Sequence, residues 1–143
     1  MRANSTNIFC CGCGIEVRAV LIDGATAYPH RKDLAALPFW RCPMCLNFVG
    51  CHHKIADRTR PLGVIPTEAL KKARMRIHAL VDPLWKSGVV PRGKLYAHIS
   101  GAIGYQYHTA EIRSMEEAET VYKIAQAVIS NIIGTVGFPG SEK

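Results

Sequence analysis

The chain has 143 residues, of which 48% are hydrophobic and 20% are charged. This composition is ordinary for a globular protein and excludes an intrinsically disordered chain, and the length allows one domain or a small module joined to a second one. No run of about 18 apolar residues could span a membrane, and the first ten residues lack the basic and apolar pattern of a signal peptide. We therefore expect a cytoplasmic protein without a membrane-spanning segment.

The net charge of +7 is concentrated in one part of the chain. Residues 52–94 hold ten basic and three acidic residues, whereas residues 1–51 hold five and three, and residues 95–143 hold three and five. A concentrated basic segment attracts phosphate groups and acidic protein surfaces, although it can also be a solvated helix face. The segment therefore points to a nucleic acid or an acidic protein as a partner.

The first 60 residues have the character of β-structure. Residues 16–22 are rich in β-branched and aliphatic residues, and Asp23-Gly24 is typical of a hairpin turn, so residues 25–28 are predicted to return as the partner strand. A single helical turn is expected within residues 31–37, because Pro38 stops it.

A second hairpin is predicted around the next turn. Residues 39–41 and 48–52 read as short strands, with Asn47 in the left-handed conformation at the turn exit. The first 60 residues therefore predict two short hairpins.

After Pro61 the apolar residues recur with the period of a helix. Thr67 is the predicted N-cap of a helix over residues 68–82, which Pro83 ends. One side of this helix is apolar, and the other is basic, carrying Lys71, Lys72, Arg74, Arg76 and His78.

Two further helices are predicted. One covers residues 92–103 and stops at Gly104. The other begins at the capping box formed by Ser114 and Glu117 and ends at Gly134, followed by a loose tail. The predicted fold class is α+β, with a module of two hairpins at residues 1–60 and a three-helix region at residues 61–143, which we expect to form one compact domain together.

The cysteine spacing is the strongest chemical signal. Cys10 and Cys13 form one C-x-x-C pair, and Cys42 and Cys45 form another. Each pair can supply half of a tetrahedral four-thiolate shell, so the spacing predicts one structural Zn²⁺, with free buried cysteines or a redox dithiol as the alternatives. Four thiolates leave no open coordination position for catalysis. Two such turns, each next to a predicted hairpin, are the arrangement of a zinc ribbon, so residues 1–60 are predicted to form a zinc-ribbon module.

Two further cysteines and two histidines have no assigned role. Cys11 could replace Cys10 in a tighter pair, but the C-x-x-C form fits a zinc site better. Cys51 is expected to be a small buried thiol, with a second metal site together with His52 as the alternative. Because His52 and His53 alternate across a strand, only one of them can face the protein interior.

Several short motifs, in this order, resemble the zinc-finger-containing domain of phages and prophages, a family of unknown function. The motifs are the Cys10 and Cys13 pair, Tyr28-Pro-x-Arg31-x-Asp33-Leu34, Phe39-Trp40-x-Cys42-x-x-Cys45, Val49-Gly50-Cys51-His52, Pro61-Leu62-Gly63, Ala73-Arg74-x-x-x-His78, Asp82-Pro83-Leu84-Trp85 and Arg92-x-x-x-Tyr96. The resemblance covers residues 10–112 and implies a phage-type origin, a zinc site on the four cysteines and no established activity.

Three functions compete on these observations. We favour a protein that binds the phosphate backbone of DNA or RNA, with little base readout, through Lys54, Arg58, Arg60, Lys71, Lys72, Arg74, Arg76, Arg92 and Lys94. The first alternative is a phage adaptor or inhibitor in the host cytoplasm that binds an acidic host protein surface.

The second alternative is an enzyme acting on nucleotides or nucleic acid through His52, Arg74, His78 and Asp82. The last three follow one another at i, i+4 and i+8 on one helix, where a His and Asp pair is more often a local stabilising contact. No acidic cluster for Mg²⁺ and no phosphate loop accompanies them.

Overall fold

The computed structural model describes residues 4–136. The chain forms two compact units that divide between Lys71 and Lys72. The first, here called the sheet unit, contains an antiparallel sheet of four strands, and the second, here called the helical unit, is built from helices. The α+β class is confirmed. None of the described helices has the length and apolar character needed to cross a membrane.

The sheet has the strand order β1-β2-β3-β4, so every strand pairs with its neighbour in sequence. The strands are β1 (Ser5–Cys10), β2 (Ile15–Asp23), β3 (Pro38–Arg41) and β4 (Phe48–Gly50). Alternate residues of each strand face one side, where they form the core of the sheet unit with Cys51 and Ile65. Trp40 is fully buried in this core, and its indole N–H donates to the Thr59 carbonyl at 2.6 Å.

The first predicted hairpin is wrong in its second strand. Residues 16–22 lie in β2, but the Asp23-Gly24 turn leads into a short helix, α1 (Gly24–Ala27). The Asp23 carboxylate caps that helix by accepting hydrogen bonds from the Thr26 amide and hydroxyl, at 3.0 and 2.9 Å. Gly24 is buried so tightly that a Cβ there would lie 1.6 Å from the Leu34 carbonyl oxygen. The strands that pair with β2 are therefore β1, which the sequence analysis missed, and β3.

The second predicted hairpin is confirmed. β3 and β4 pair antiparallel, with Trp40 opposite Val49, and a helical turn at Lys32–Leu34 precedes β3 as expected. The left-handed residue in the connecting turn is Leu46, with φ of 67°, and not Asn47. The Asn47 side chain instead donates a hydrogen bond to the Cys45 sulfur.

Helix α2 (Glu68–Lys86) begins as predicted and ends four residues later than predicted. The Thr67 hydroxyl accepts the Leu70 amide at 3.0 Å, which is the expected N-cap bond. Pro83 lies inside the helix, where it removes one backbone donor. Leu84, directly after it, is 4% exposed, and the burial of that side chain offsets the lost hydrogen bond.

The other two long helices begin as predicted. α3 (Arg92–Ile103) ends at Gly104, which has φ of 90°, as expected of a glycine C-cap. α4 (Met115–Val136) begins after Ser114, whose hydroxyl accepts the Glu117 amide at 3.0 Å. The Glu117 carboxylate accepts the Arg113 amide at 2.9 Å, one residue before the position in a standard capping box.

Gly134 does not end α4, because the helix continues to Val136. Most of the predicted loose tail lies outside the described residues. The predicted boundary at residue 60 and the expectation of one compact domain stay predictions.

Candidate metal centre

Two hairpin turns bring the four predicted zinc ligands together in the sheet unit. Cys10 is the last residue of β1 and Cys13 lies in the turn before β2, while Cys42 follows β3 and Cys45 lies in the turn before β4. All four Sγ atoms lie within 4.8 Å of one another. The Sγ atoms of Cys10 and Cys45 are 3.4 Å apart, and those of Cys13 and Cys42 are 3.7 Å apart.

These distances fit one Zn²⁺. Four sulfurs at about 2.3 Å from a tetrahedral zinc lie about 3.8 Å from one another, which falls within the observed range. The four thiolates would fill the coordination shell, so the metal would hold the two hairpin turns together and would not activate water. The cysteines therefore form a single structural zinc site.

The surrounding backbone favours the thiolate of Cys42. Burial raises the pKa of this thiol, but the amides of Cys45 and Met44 donate hydrogen bonds to the sulfur, and the pKa falls to about 7. The Met44 amide is 3.4 Å from that sulfur. Burial dominates at Cys10 and raises its pKa to about 12. A bound Zn²⁺ supplies the charge that deprotonates such a buried thiol.

The remaining cysteines and the two histidines lie outside this site. Cys51 is 5% exposed within the core, as expected for a buried thiol. His52 is exposed, and His53 is half-buried with its Nδ1 3.4 Å from the Cys51 carbonyl oxygen. Cys11 is half-buried, and its amide donates to the Ile65 carbonyl. Among residues 4–136, none of these four belongs to a group of three or more metal-ligating side chains.

The family profile of a zinc-finger-containing domain matches residues 6–130. The chain belongs to this family. The match begins before the first cysteine pair and extends into α4, so it is longer than the stretch of residues 10–112 over which the motifs were recognised. No curated protein and no solved structure matches the chain significantly. This zinc-finger-containing domain therefore has to be interpreted from its own residues.

The basic residues predicted in the sheet unit differ in exposure. Lys54, Arg58 and Arg60 are exposed in the loop after β4. Lys71 is half-buried, with its ammonium nitrogen 4.4 Å from the centre of the Phe48 ring and 3.2 Å from the Tyr28 hydroxyl. The ammonium of Lys71 is less accessible and already has partners in the Tyr28 hydroxyl and, at 3.8 Å, the Glu68 carboxylate, so Lys71 is a weaker candidate for a phosphate contact than the three loop residues.

Arg74 does not lie on the predicted basic face of α2. It is 8% exposed, and its Nη2 donates to the Ile112 carbonyl at 2.6 Å inside the helical unit. Lys72 and Arg76 are exposed, and the Arg76 guanidinium lies 4.4 Å from the centre of the Tyr122 ring. The helical spacing puts Arg74 in one ridge with His78 and Asp82, at the boundary between the apolar and basic faces, and in the folded chain this position is buried.

The candidate catalytic residues make structural contacts. His78 Nδ1 lies 3.3 Å from Asp82 Oδ2, as the helical spacing predicted, and the Trp85 indole N–H donates to Asp82 Oδ1 at 3.0 Å. Arg74 is bonded to Ile112 instead, and His52 lies in the sheet unit. Asp82 therefore orients Trp85 and His78 at the surface of the helical unit.

A group of basic and aromatic residues follows α2, here called the cation–aromatic cluster and defined as Trp85, Lys86, Arg92 and Tyr96. The Arg92 guanidinium carbon lies 4.6 Å from the centre of the Tyr96 ring and 5.5 Å from that of Trp85. The Lys86 ammonium lies 5.6 Å from the centre of the Trp85 ring. The sequence analysis included Arg92 as a phosphate contact but missed Lys86, although its position next to a tryptophan was a usable signal.

Proposed function

We propose that this protein binds the phosphate backbone of nucleic acid through the cation–aromatic cluster of the helical unit. The observation that carries the proposal is the position of Arg92, whose guanidinium lies against two aromatic rings. Stacking holds the planar group in one orientation while its N–H groups stay available. An arginine held in this way is suited to a bidentate phosphate contact at low entropic cost.

The cations of the cluster have no ion-pair partner among the described residues, and the nearby Asp82 carboxylate is hydrogen-bonded to the Trp85 indole. Within residues 4–136, Lys86, Arg92 and the nearby Lys94 make no ion pair shorter than 4.0 Å, and all three are exposed. Two cations over the same Trp85 ring repel each other unless an anion lies between them. A backbone phosphate carries one negative charge, so it would offset one of these two positive charges and reduce their repulsion.

Other exposed cations would add contacts without base readout. Lys72 and Arg76 are exposed on α2 in the helical unit, and the sheet unit carries its own exposed cations, Lys54, Arg58 and Arg60, in the loop after β4. Contacts of this kind position a protein on nucleic acid and do not select a sequence. We therefore expect sequence-independent binding that depends strongly on salt.

Fluorescence anisotropy with a random-sequence duplex and a single-stranded oligonucleotide, measured across salt concentrations, tests this proposal. The logarithm of the binding constant should fall linearly with the logarithm of salt concentration, and each lost phosphate contact should reduce the slope by about 0.7 to 0.9. The double variant Lys86→Ala/Arg92→Ala loses two such contacts and should reduce the slope by about twice that amount. Arg92→Lys keeps the charge but loses the planar contact with the rings, so its affinity should be intermediate.

Lys123→Ala is the matched control, because Lys123 is an exposed lysine of the same unit that lies 3.9 Å from Glu119. It removes a positive charge outside the cluster and should leave the slope close to wild type. No measurable binding at about 50 mM salt would contradict the proposal. Equal effects of the cluster and control variants would show that only net charge matters.

A second candidate function is that of a phage adaptor that binds a host protein in the host cytoplasm. Three large apolar side chains beside the zinc ligands favour it, because Ile15, Met44 and Leu46 are 60%, 76% and 58% exposed. Exposed apolar groups that are close together are typical of protein-binding surfaces. Co-purification of a host protein that survives nuclease treatment and is lost in Met44→Asp would support the adaptor.

A further inference from the structure

A groove lies between the first half of α3 and the last turns of α4 in the helical unit. Its volume is about 600 Å³. The apolar lining consists of Val89, Val90, Pro91, Val128 and Ile132. Ligand pockets in proteins commonly enclose about 300 to 1,000 Å³, so the groove is large enough for a small organic molecule.

The groove has three polar lining residues, two on α3 and one on α4. Lys94 and His98 lie on α3 four residues apart, so they are neighbours along the same wall, and Asn131 lies on α4 opposite them. Among the described residues that line the groove, none is acidic. Lys94 is exposed and makes no ion pair shorter than 4.0 Å with any residue in the described part of the chain. The groove thus combines apolar walls with one cationic margin.

We propose that this groove binds a dissolved organic anion with a hydrocarbon body and a single carboxylate-type head group. The hydrocarbon would cover Val128 and Ile132 on one wall and Val89 on the other, all of them partly exposed, which removes apolar surface from water. The head group would lie beside Lys94 and His98, where it forms a charge-assisted hydrogen bond with the ammonium. Inorganic phosphate would satisfy only the second of these contacts, and a neutral alcohol only the first.

The apolar residues of the groove are not among the residues proposed to bind nucleic acid. Val128 and Ile132 carry no charge and lie on α4, outside the cation–aromatic cluster. Lys94 belongs to both proposals, because it is also a predicted phosphate contact. Substitutions on α4 therefore test the groove without changing the cations that would bind nucleic acid.

The experiment uses the zinc-loaded full chain and anilinonaphthalene sulfonate, a fluorescent apolar anion, as the probe. The probe should bind at one site per chain, and decanoate should displace it at concentrations below about 1 mM. Decanol should need about tenfold more, because it lacks the charged contact with Lys94, and inorganic phosphate should not displace the probe. Thermal melting monitored by circular dichroism establishes that each variant is folded when it is tested.

Two variants and a control separate the contribution of the charged contact from that of the apolar contact. Lys94→Gln should weaken decanoate about tenfold and leave decanol unchanged, whereas the uncharged change Ile132→Asn should weaken both and leave oligonucleotide binding close to wild type. Lys123→Gln, which removes a lysine outside the groove, should behave as wild type.

Three results would overturn the proposal: equal affinity for decanol and decanoate, displacement of the probe by phosphate, or equal behaviour of Lys94→Gln and Lys123→Gln. Binding to vesicles of anionic phospholipid without binding of dissolved decanoate would overturn it too, because the site would then recognise a lipid surface. Each of these results leaves the nucleic-acid proposal standing, since that proposal is tested by the salt dependence of oligonucleotide binding.

Discussion

The guanidinium of Arg74 and the main-chain carbonyl of Ile112 form a 2.6 Å hydrogen bond across 38 residues of sequence. Both residues are buried, with Arg74 8% and Ile112 1% exposed. The bond joins α2 to the segment that precedes α4, and it satisfies a carbonyl that water cannot reach. A residue that the charge pattern assigns to a binding surface is therefore part of the interior of the helical unit.

Replacing Arg74 should destabilise the protein and not merely weaken a binding surface. Arg74→Met leaves the buried Ile112 carbonyl without this donor, which should lower the free energy of unfolding by about 1 to 3 kcal/mol. Lys72→Met removes one positive charge from an exposed position on the same helix, and its effect should stay within about 0.5 kcal/mol. Urea unfolding followed by circular dichroism measures both, and equal values would contradict the structural role of Arg74.

Zinc should be bound in a ratio of one per chain and should be required for the fold of the sheet unit. Cys42→Ser removes one of four thiolates, so elemental analysis should find the zinc lost and circular dichroism should find less β-structure. A strong chelator should have the same effect on the wild type. Cys11→Ser is the control, because Cys11 lies outside the four-cysteine group, and it should keep its zinc. Loss of zinc in Cys11→Ser alone would reassign the ligands.

Leu46→Gly should stabilise the protein, which is unusual for the loss of a large side chain. Leu46 has φ of 67°, a conformation that costs a residue with a Cβ about 1 to 2 kcal/mol, and its side chain is 58% exposed. Glycine relieves this strain but adds freedom to the unfolded chain, so we expect a gain of up to about 1 kcal/mol.

Leu46→Ala is the matched control for this effect. It removes most of the side chain but keeps the Cβ, so it should give no gain. Chemical unfolding of the zinc-loaded proteins compares the two variants. If Leu46→Gly is no more stable to unfolding than Leu46→Ala, the backbone at position 46 is not strained.

Part of the stability of α1 should depend on pH through Asp23. Hydrogen bonds from the Thr26 side chain and amide lower the pKa of this carboxyl. Since the pKa is lower in the folded than in the unfolded state, the contribution is present above the unfolded value of about 3.9 and is lost as pH falls through the folded value. Asp23→Asn keeps an acceptor but cannot titrate, so its stability should lack this component.

Carbon-detected NMR titration of the Asp23 carboxyl measures this shift directly. Thr26→Val removes the hydroxyl donor and should move the pKa back toward its ordinary value. An ordinary pKa for Asp23 in the wild-type protein would mean that the capping bonds are not maintained in solution.

Local patterns in the sequence were sufficient for much of the architecture. The two C-x-x-C pairs identified the four cysteines that lie within 4.8 Å of one another, because a tight turn already aims both thiols of a pair in one direction. Three helix ends were predicted correctly from their capping residues, Thr67, Ser114 and Gly104. A cap bond involves only residues three or four positions apart in the chain. These features depend on neighbours along the chain, and the sequence displays those neighbours directly.

Other features depend on competition between distant segments. Asp23-Gly24 is a good hairpin turn locally, but pairing of β2 with β1 and β3 and the close packing of Gly24 against Leu34 determine the actual path. Packing around Leu84 keeps α2 intact through Pro83.

The sequence by itself determined the zinc ligands, the α+β class and the starts of the long helices, because these arise from contacts over a few residues. The tertiary structure decided which cations reach solvent, burying Arg74 and leaving Lys86 and Arg92 exposed beside Trp85. The physical reason is that the exposure of a side chain depends on what packs over it, and that packing comes from residues far away in the chain.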